Sequence, residues 1–456
     1  MGKDINNVIF ITIDALRADH LAFIGYNRDT SPFLGKVAEE GITFTLAFSN
    51  SSHTFGSFPS IFSSDYPVLG SSYTIEGRTV FQEILKEKGY QTAAFNSNPY
   101  LSRYYKYDRG FNYFEDYLRS ISPENKNPPQ TKTSMKRQIA GKLIREHDIF
   151  FNIFALLRTI ANLERKNLPY VNALDLTNDV LSWIENQSKK PFFLWVHYMD
   201  IHSPPVYPRV LNDIEGPPVN KHELKERLHK MNSSEKTCLN YLADLLNKYD
   251  YRIRFVDHAI EALFSRLDNG ILDSSLIIVT ADHGEEFFDH GHLGHRPKLY
   301  DELIHVPLLI KGPGIPHGTK VDEIVQHLDI APTILDLLDI PIPRCFLGEN
   351  VFEVTGREGV ISETSSELNR IEIDLSKLKV AYRTKDWKYI YCEDADDELY
   401  NLKIDPKETK NLLSEQKEKA EEFKSKILKH IAMKEKTFII SNEKKKIKGL
   451  KRSGRI

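Results

Sequence analysis

The run NVIFITID near the start of the chain constrains the fold more than any other stretch. It is apolar with little period-two alternation. A strand with one wet face alternates, so this one is expected to be covered on both faces. Such a strand needs helices above and below it. SPFLGKVAEEG and TVFQEILKEKGY read as helices, and GITFTLAFSN, QTAAFNS, PFFLWVHY, SSLIIVTAD and HVPLLIKG as further strands. This alternation predicts an α/β fold with a mixed, mostly parallel central sheet and helices on both faces. With 456 residues, 41% of them hydrophobic, the chain can bury a core of that size.

Texture divides the rest. Residues 1–350 read as the main domain, interrupted at 119–170 by a polar, proline-containing loop and helical insertion. Within the insertion, HDIFFNIFALLRTIANLER is expected to face the core or a second copy rather than a membrane. Residues 351–435 read as a smaller α+β subdomain. There LKVAYRTKDWKYIYCEDADDELYNL alternates like a hairpin, and the amphipathic helix EKAEEFKSKILKHIAMK follows. Residues 436–456 form a basic tail, expected to be solvated and disordered.

Bulk properties exclude several classes. The net charge of −3 gives no global field for nucleic acid. Three widely spaced cysteines, Cys238, Cys345 and Cys392, offer neither a disulfide framework nor a Cys-based zinc site. The N-terminus shows no secretory pattern and no run is long enough for a transmembrane helix. A cytoplasmic location is expected.

Functional groups in open α/β sheets collect beyond the carboxyl ends of strands. Two strands end in acid there, the first at Asp14 and the second at Asp282-His283. Burying these groups is costly unless a divalent cation joins them. Taken alone, each could be a hydrogen-bonded turn or a cap. In FGSFPSIFSS, Ser57 stands before a predicted short helix with Pro59 in its first turn, either as a plain N-cap or as a nucleophile activated by the cation. Five of the sixteen histidines fall in two strand-following stretches, WVHYMDIHSPP and FFDHGHLGHRPKLYDE. His197, inside its strand, reads as a satisfied core residue. His202 and His295 are candidates for protonating a leaving group or binding an anionic ester, with Lys298 nearby as a further anion contact.

In order, NVIFITIDALRADHLAFIGY, SPFLGKVAEEGITFTLAFSNSS, PFFLWVHYMDIHSP, YDYRIRFVDHAI, IIVTADHGEEFFDHGHLGH, LYDELIHVPLLIKGPG, HLDIAPTILDLLDI and YNLKIDPKETKNL resemble the sulfatase family of the alkaline-phosphatase superfamily. The resemblance implies an α/β sandwich with a smaller C-terminal subdomain. By motif it implies Asp14, Asp282 and His283 as metal ligands, and Ser57 as a nucleophile that also touches the metal. It implies His202 as a contact to the ester near the leaving group. His295 lies at or near the place of a lysine serving the same anion. The chain departs from the family at three points. Ile61 stands where the formylglycine motif, Cys- or Ser-x-Pro-Ser-Arg, has arginine. Ala15 follows Asp14 where a second aspartate is usual, and NSNPYLS replaces a Lys-Trp-His segment. These departures favour the encoded hydroxyl of Ser57 over formylglycine.

The resulting expectation is a metal-dependent hydrolase of sulfuric or phosphoric esters, its anionic substrate carried on a carbohydrate or a lipid. Mn²⁺ or Zn²⁺ suits the mixed oxygen and nitrogen donors, and the resemblance keeps Ca²⁺ open. Two alternatives stand beside it: a transferase passing a phospho-group to a glycan or lipid, and a non-catalytic binding protein on a degenerate sulfatase fold.

Overall fold

The computed structural model describes residues 5–70, 72–118, 171–186, 191–202, Leu224, 235–365 and 373–452; the side chains of 235–239, 241 and 435–452 are outside that description. The insertion expected at 119–170, with its apolar helix, lies outside the described residues.

The central sheet draws β1 (Asn7–Ile13), β2 (Ile42–Phe48), β3 (Gln91–Asn96), β4 (Tyr113–Glu115), β5 (Phe192–Tyr198) and β6 (Ser275–Ala281) from along the chain. A small hairpin follows, β7 (Glu286–Phe287) with β8 (Leu293–Gly294), and β9 (His305–Lys311) and β10 (Thr319–Gln326) complete the sheet. The spatial order is β10-β2-β9-β6-β1-β5-β3-β4. Only β9 runs against its neighbours, β2 and β6. The expected mixed, mostly parallel sheet is therefore present.

β1 lies between β5 and β6, and is buried along its length. Ile9, Ile11 and Ile13 enter one core, and Val8 and Phe10 the other. Each such side chain stabilises the fold by roughly 1.5–3 kcal/mol, which is why an unalternating run settles in the middle of the sheet. The register pairs Ile13 with Ala281 on one side and Tyr198 on the other. The next residues, Asp14 and Asp282, therefore emerge side by side at one sheet edge.

Among the helices, α1 (Pro32–Glu39) and α3 (Phe81–Glu87) fall where the sequence places them, with α2 (Thr54–Ser63) between them. A second sheet holds β11 (Gly359–Ser365), β12 (Leu378–Thr384), β13 (Trp387–Cys392) and β14 (Glu398–Asn401), antiparallel in chain order. One face packs Val380, Tyr382 and Tyr389 on Phe423 and Ile427 of the C-terminal helix, Lys417–Arg452. The other packs Val360, Ala381 and Ile390 against Phe48, Leu303 and Ile304 of the main domain. That helix continues through most of the stretch expected as a disordered basic tail, because its Lys- and Glu-rich composition favours helical backbone. No helix of the described residues is long and apolar enough to cross a membrane.

Candidate active site

Five segments meet at the carboxyl edge of the sheet: the ends of β1, β6, β3 and β5, and the start of α2 after β2. Asp14, Asp282 and His283 are fully buried there, and one ligand atom from each lies within 4.8 Å of the others. His283 Nε2 is 3.7 Å from Asp14 Oδ1 and 3.5 Å from Asp282 Oδ2.

The second atom of each group is already tied down. Asp14 Oδ2 accepts from Asn98 Nδ2 at 3.0 Å and lies 3.5 Å from His197 Nε2. Asp282 Oδ1 accepts from the backbone N–H groups of Ala15 and His283, at 3.1 and 2.9 Å. His283 Nδ1 faces Gly284 O at 2.8 Å. Asp14 Oδ1 and Asp282 Oδ2 are left without hydrogen-bond partners, although both are buried. Orphaned carboxylate oxygens beside a neutral imidazole are the donor set of a divalent cation, with the remaining atoms held by an outer shell that fixes their orientation.

Electrostatics agrees. Burial pushes the Asp282 carboxyl well above its ordinary range, and the Asp14 charge pushes it the same way. For Asp14 burial acts upward too, but His202, His197 and His283 together bring it below the usual carboxylate range. Two carboxylates this close and this buried do not both ionise without a cation between them. Burial and the neighbouring His295 charge hold His283 well below an ordinary imidazole, so it is neutral, as a metal ligand must be. Local backbone is shaped for this cluster. Ala15 sits at φ 59°, a conformation costing a side-chain-bearing residue roughly 1–2 kcal/mol. Its N–H and C=O are held by Asp282 and Tyr249. At Gly284 a Cβ would come within 2.0 Å of Glu302 O, so only glycine fits.

His202 and His295 both reach this edge, their Nε2 atoms 3.4 Å apart. The His295 ring lies over His283 with centroids 4.5 Å apart, and its Nδ1 is 3.5 Å from Glu285 Oε1. Burial opposes its charge, but Glu285, Asp14 and Asp282 raise His295 to about 9. His197 is fully buried, as a core histidine should be, with Nδ1 2.8 Å from Thr12 Oγ1, yet its other nitrogen abuts Asp14.

Two expected residues are engaged elsewhere. Lys298 Nζ donates to Glu286 Oε2 at 3.1 Å and His290 O at 2.8 Å, and lies 2.9 Å from His292 Nδ1; it ties down the loop of the small hairpin. Ser57 is not the N-cap. His53 is, its Nδ1 accepting from Gly56 N, so α2 begins at Thr54 and Pro59 falls in the helix interior. Inside the helix the Ser57 hydroxyl turns to the preceding loop, 2.9 Å from Ser49 Oγ, 3.2 Å from Ser51 O and 3.1 Å from His53 O. The hydroxyl that faces the cluster is Thr54 Oγ1, 3.3 Å from His283 Nε2. Thr54, Asn98 and Glu285 were not singled out from sequence. A threonine directly after a histidine able to cap the helix is a signal that could have found Thr54.

Comparison with known proteins identifies the family and the fold. The sulfatase family profile matches residues 6–340, and a profile for the C-terminal region of N-sulphoglucosamine sulphohydrolase matches 288–436. Arylsulfatase K of Bos taurus is 22% identical over 457 residues, covering 90% of this chain and 78% of that protein. A phosphonate monoester hydrolase of Agrobacterium radiobacter superposes with a TM-score of 0.70 at 20% identity, covering 94% of this chain and 96% of the other. An alkaline-phosphatase-superfamily protein of Vibrio parahaemolyticus does so with a TM-score of 0.59 at 16% identity, covering 90% and 83%. The chain belongs to the sulfatase family and is an ester hydrolase of that family.

Proposed function

From membership of the sulfatase family, we propose that this chain hydrolyses anionic sulfate, phosphate or phosphonate esters at the Asp14–Asp282–His283 cluster, with Thr54 rather than Ser57 as nucleophile. The observation that carries the assignment is the pair of hydroxyl placements. Thr54 Oγ1 faces His283 at the first residue of α2, whereas Ser57 Oγ is turned into the loop of residues 49–51.

Asp14 Oδ1, Asp282 Oδ2 and His283 Nε2 would hold one divalent cation, with Mn²⁺ or Zn²⁺ suited to the donors and Ca²⁺ compatible with the two carboxylates. When bound, the cation lowers the pKa of a neighbouring hydroxyl and offsets charge developing on the ester oxygens. Thr54 Oγ1, its proton released to solvent, attacks the sulfur or phosphorus as the bond to the alcohol oxygen breaks. His295, held charged by Glu285, and His202 beside it bind the anionic group and supply the proton that the alcohol takes away. Asn98 and His197 orient Asp14 throughout. Water then releases the anion from Thr54.

The test is turnover of matched nitrophenyl phosphate and nitrophenyl sulfate by Thr54→Ala and Ser57→Ala, with metal content measured in each. Thr54→Ala is expected to lose nearly all turnover while keeping its metal. Ser57→Ala should keep most of both, and peptides covering residues 50–70 should carry an unmodified Ser57. Loss confined to Ser57→Ala, with a mass deficit of about two hydrogens at Ser57, would return the nucleophile to Ser57 as formylglycine.

A further inference from the structure

The loop that delivers Thr54 is not held by the main domain alone. β11 of the C-terminal sheet clasps residues 49–51 through four hydrogen bonds. Ser362 Oγ donates to Ser49 O at 2.6 Å, and Glu363 N to Asn50 O at 2.7 Å. Asn50 Nδ2 donates to Ile361 O at 2.7 Å, and Ser51 Oγ to Glu363 O at 2.8 Å.

The same loop bears directly on the site. Ser49 Oγ lies 2.7 Å from Asp282 O and 2.9 Å from Ser57 Oγ, and Ser51 O is 3.2 Å from Ser57 Oγ. Its fit against α2 leaves no slack, because a Cβ on Gly56 would come within 2.1 Å of Ser51 Oγ. A displacement of β11 at Glu363 therefore passes through Asn50 and Ser51 to the first turn of α2, where Thr54 sits.

What fixes β11 at that point is a charge. Glu363 is 1% exposed. Its Oε1 lies 2.6 Å from both His430 Nε2 and Lys434 Nζ, and its Oε2 lies 2.5 Å from Lys434 Nζ and 3.2 Å from Val68 N. Both partners belong to the C-terminal helix. A buried carboxylate keeps one position only while its lone pairs are taken up, and removing its counter-ion leaves an unpaired charge that must move toward water.

We propose that Glu363 is a positioning residue for the Thr54 hydroxyl, and that the C-terminal helix sets the nucleophile loop through Lys434 and His430. The proposal rests on the assignment of Thr54 as nucleophile; none of these three side chains touches the reacting atoms.

The experiment compares Lys434→Met, Lys434→Arg, Glu363→Gln and Ser362→Ala in the full chain. Three quantities are read: kcat and KM on nitrophenyl esters, bound metal, and hydrogen–deuterium exchange of the peptide spanning residues 49–57. Lys434→Met and Glu363→Gln are expected to lower kcat roughly tenfold or more, the scale of a small misplacement of a reacting group. KM should stay within about twofold, since the anion contacts are untouched. Metal content should be unchanged, and exchange in residues 49–57 should rise. Lys434→Arg should restore kcat. Ser362→Ala removes one clasp without leaving a buried charge, and should raise exchange in the same peptide even where the charge variants fold poorly. Wild-type kcat with only a lowered melting temperature would reduce Glu363 to a stabilising clamp and overturn the proposal. Unchanged exchange in residues 49–57 across all variants would do the same. If Thr54→Ala itself retains turnover, the nucleophile assignment fails separately, and the exchange data alone decide whether the C-terminal helix controls this loop.

Discussion

Replacing Asp282 with asparagine should stabilise the metal-free protein while abolishing its stabilisation by metal. Asp282 Oδ1 accepts from Ala15 N and His283 N, and an amide oxygen in that place accepts both. Oδ2, which has no hydrogen-bond partner, becomes an amide group that can donate toward Asp14, itself left with an orphaned oxygen. The variant thus replaces a carboxyl that cannot ionise beside Asp14 with a neutral donor at almost constant volume. Ligand oxygens of the two aspartates lie within 4.8 Å. At an effective dielectric of about 20, two unit charges at that separation repel by about 3 kcal/mol. Without the cation Asp282 escapes this repulsion by holding a proton, because burial and Asp14 push its carboxyl up, and the cost of keeping that proton at neutral pH is what asparagine removes. A gain of about 1–3 kcal/mol is expected in chelator. The metal arm runs the other way. At a hundredfold excess over Kd, wild type should gain about 2.7 kcal/mol and the variant almost nothing. Guanidinium unfolding in EDTA and in Mn²⁺ or Zn²⁺, at matched ionic strength, measures both arms. A variant less stable than wild type in EDTA, or equally stabilised by metal, would refute the view of Asp14 and Asp282 as a cation-dependent pair.

Three further outcomes follow from other parts of the structure. His202→Ala should reduce turnover of alkyl esters more than that of nitrophenyl esters, because a general acid matters most for a basic leaving oxygen; equal losses on both would make His202 an anion contact only. Burial opposes the charge on Glu363, but Lys434 and His430 carry its carboxyl down from 4.5 to about 2. Its contribution is therefore complete above pH 4.5 and lost as pH falls toward 2, a span worth about 3 kcal/mol, and Glu363→Gln should flatten the fall in stability measured by denaturant unfolding across that window. Lys388 is fully buried, 2.5 Å from Asp301 and 2.6 Å from Glu408. Lys388→Met should cost roughly 3–5 kcal/mol in unfolding free energy at neutral pH by taking the cation from Glu408 and leaving Asp301 to Arg383, and a loss below about 1 kcal/mol would show that the cluster rearranges or admits water.

The legibility of this site in the sequence follows the range of the forces that build it. Asp14, Asp282 and His283 were readable because each follows directly on an unalternating apolar strand, and the sheet register then brings strand ends together. β9 was readable as a strand but its direction was not, since strand direction depends on the connections and leaves no mark in local periodicity. The C-terminal segment alternated as expected, yet it forms three strands of a four-stranded sheet, because β11 arrives from residues upstream of the pattern. Asn98 and Glu285 were invisible for a related reason: each acts on a residue supplied by another segment, and only the folded sheet brings them together.

The proposed assignment of Thr54 rather than Ser57 as nucleophile has a narrower cause. Proline is favoured in a first helical turn, so Pro59 argued that the helix begins just after Ser57. In the structure an imidazole takes the capping role. His53 Nδ1 accepts from Gly56 N, which starts the helix early enough to make Ser57 an interior residue and to leave Pro59 in the helix body. An interior serine satisfies its hydroxyl on the carbonyl one turn back, here His53 O, and is turned from the sheet edge by doing so. The first helical residue keeps its side chain beside the exposed N–H groups at the helix start, where an anion or an alkoxide is stabilised. On the proposed assignment, a cap chosen by histidine rather than serine thus moves the reactive position by three residues, and it does so without altering the Ser-x-Pro-Ser pattern that made Ser57 the natural choice.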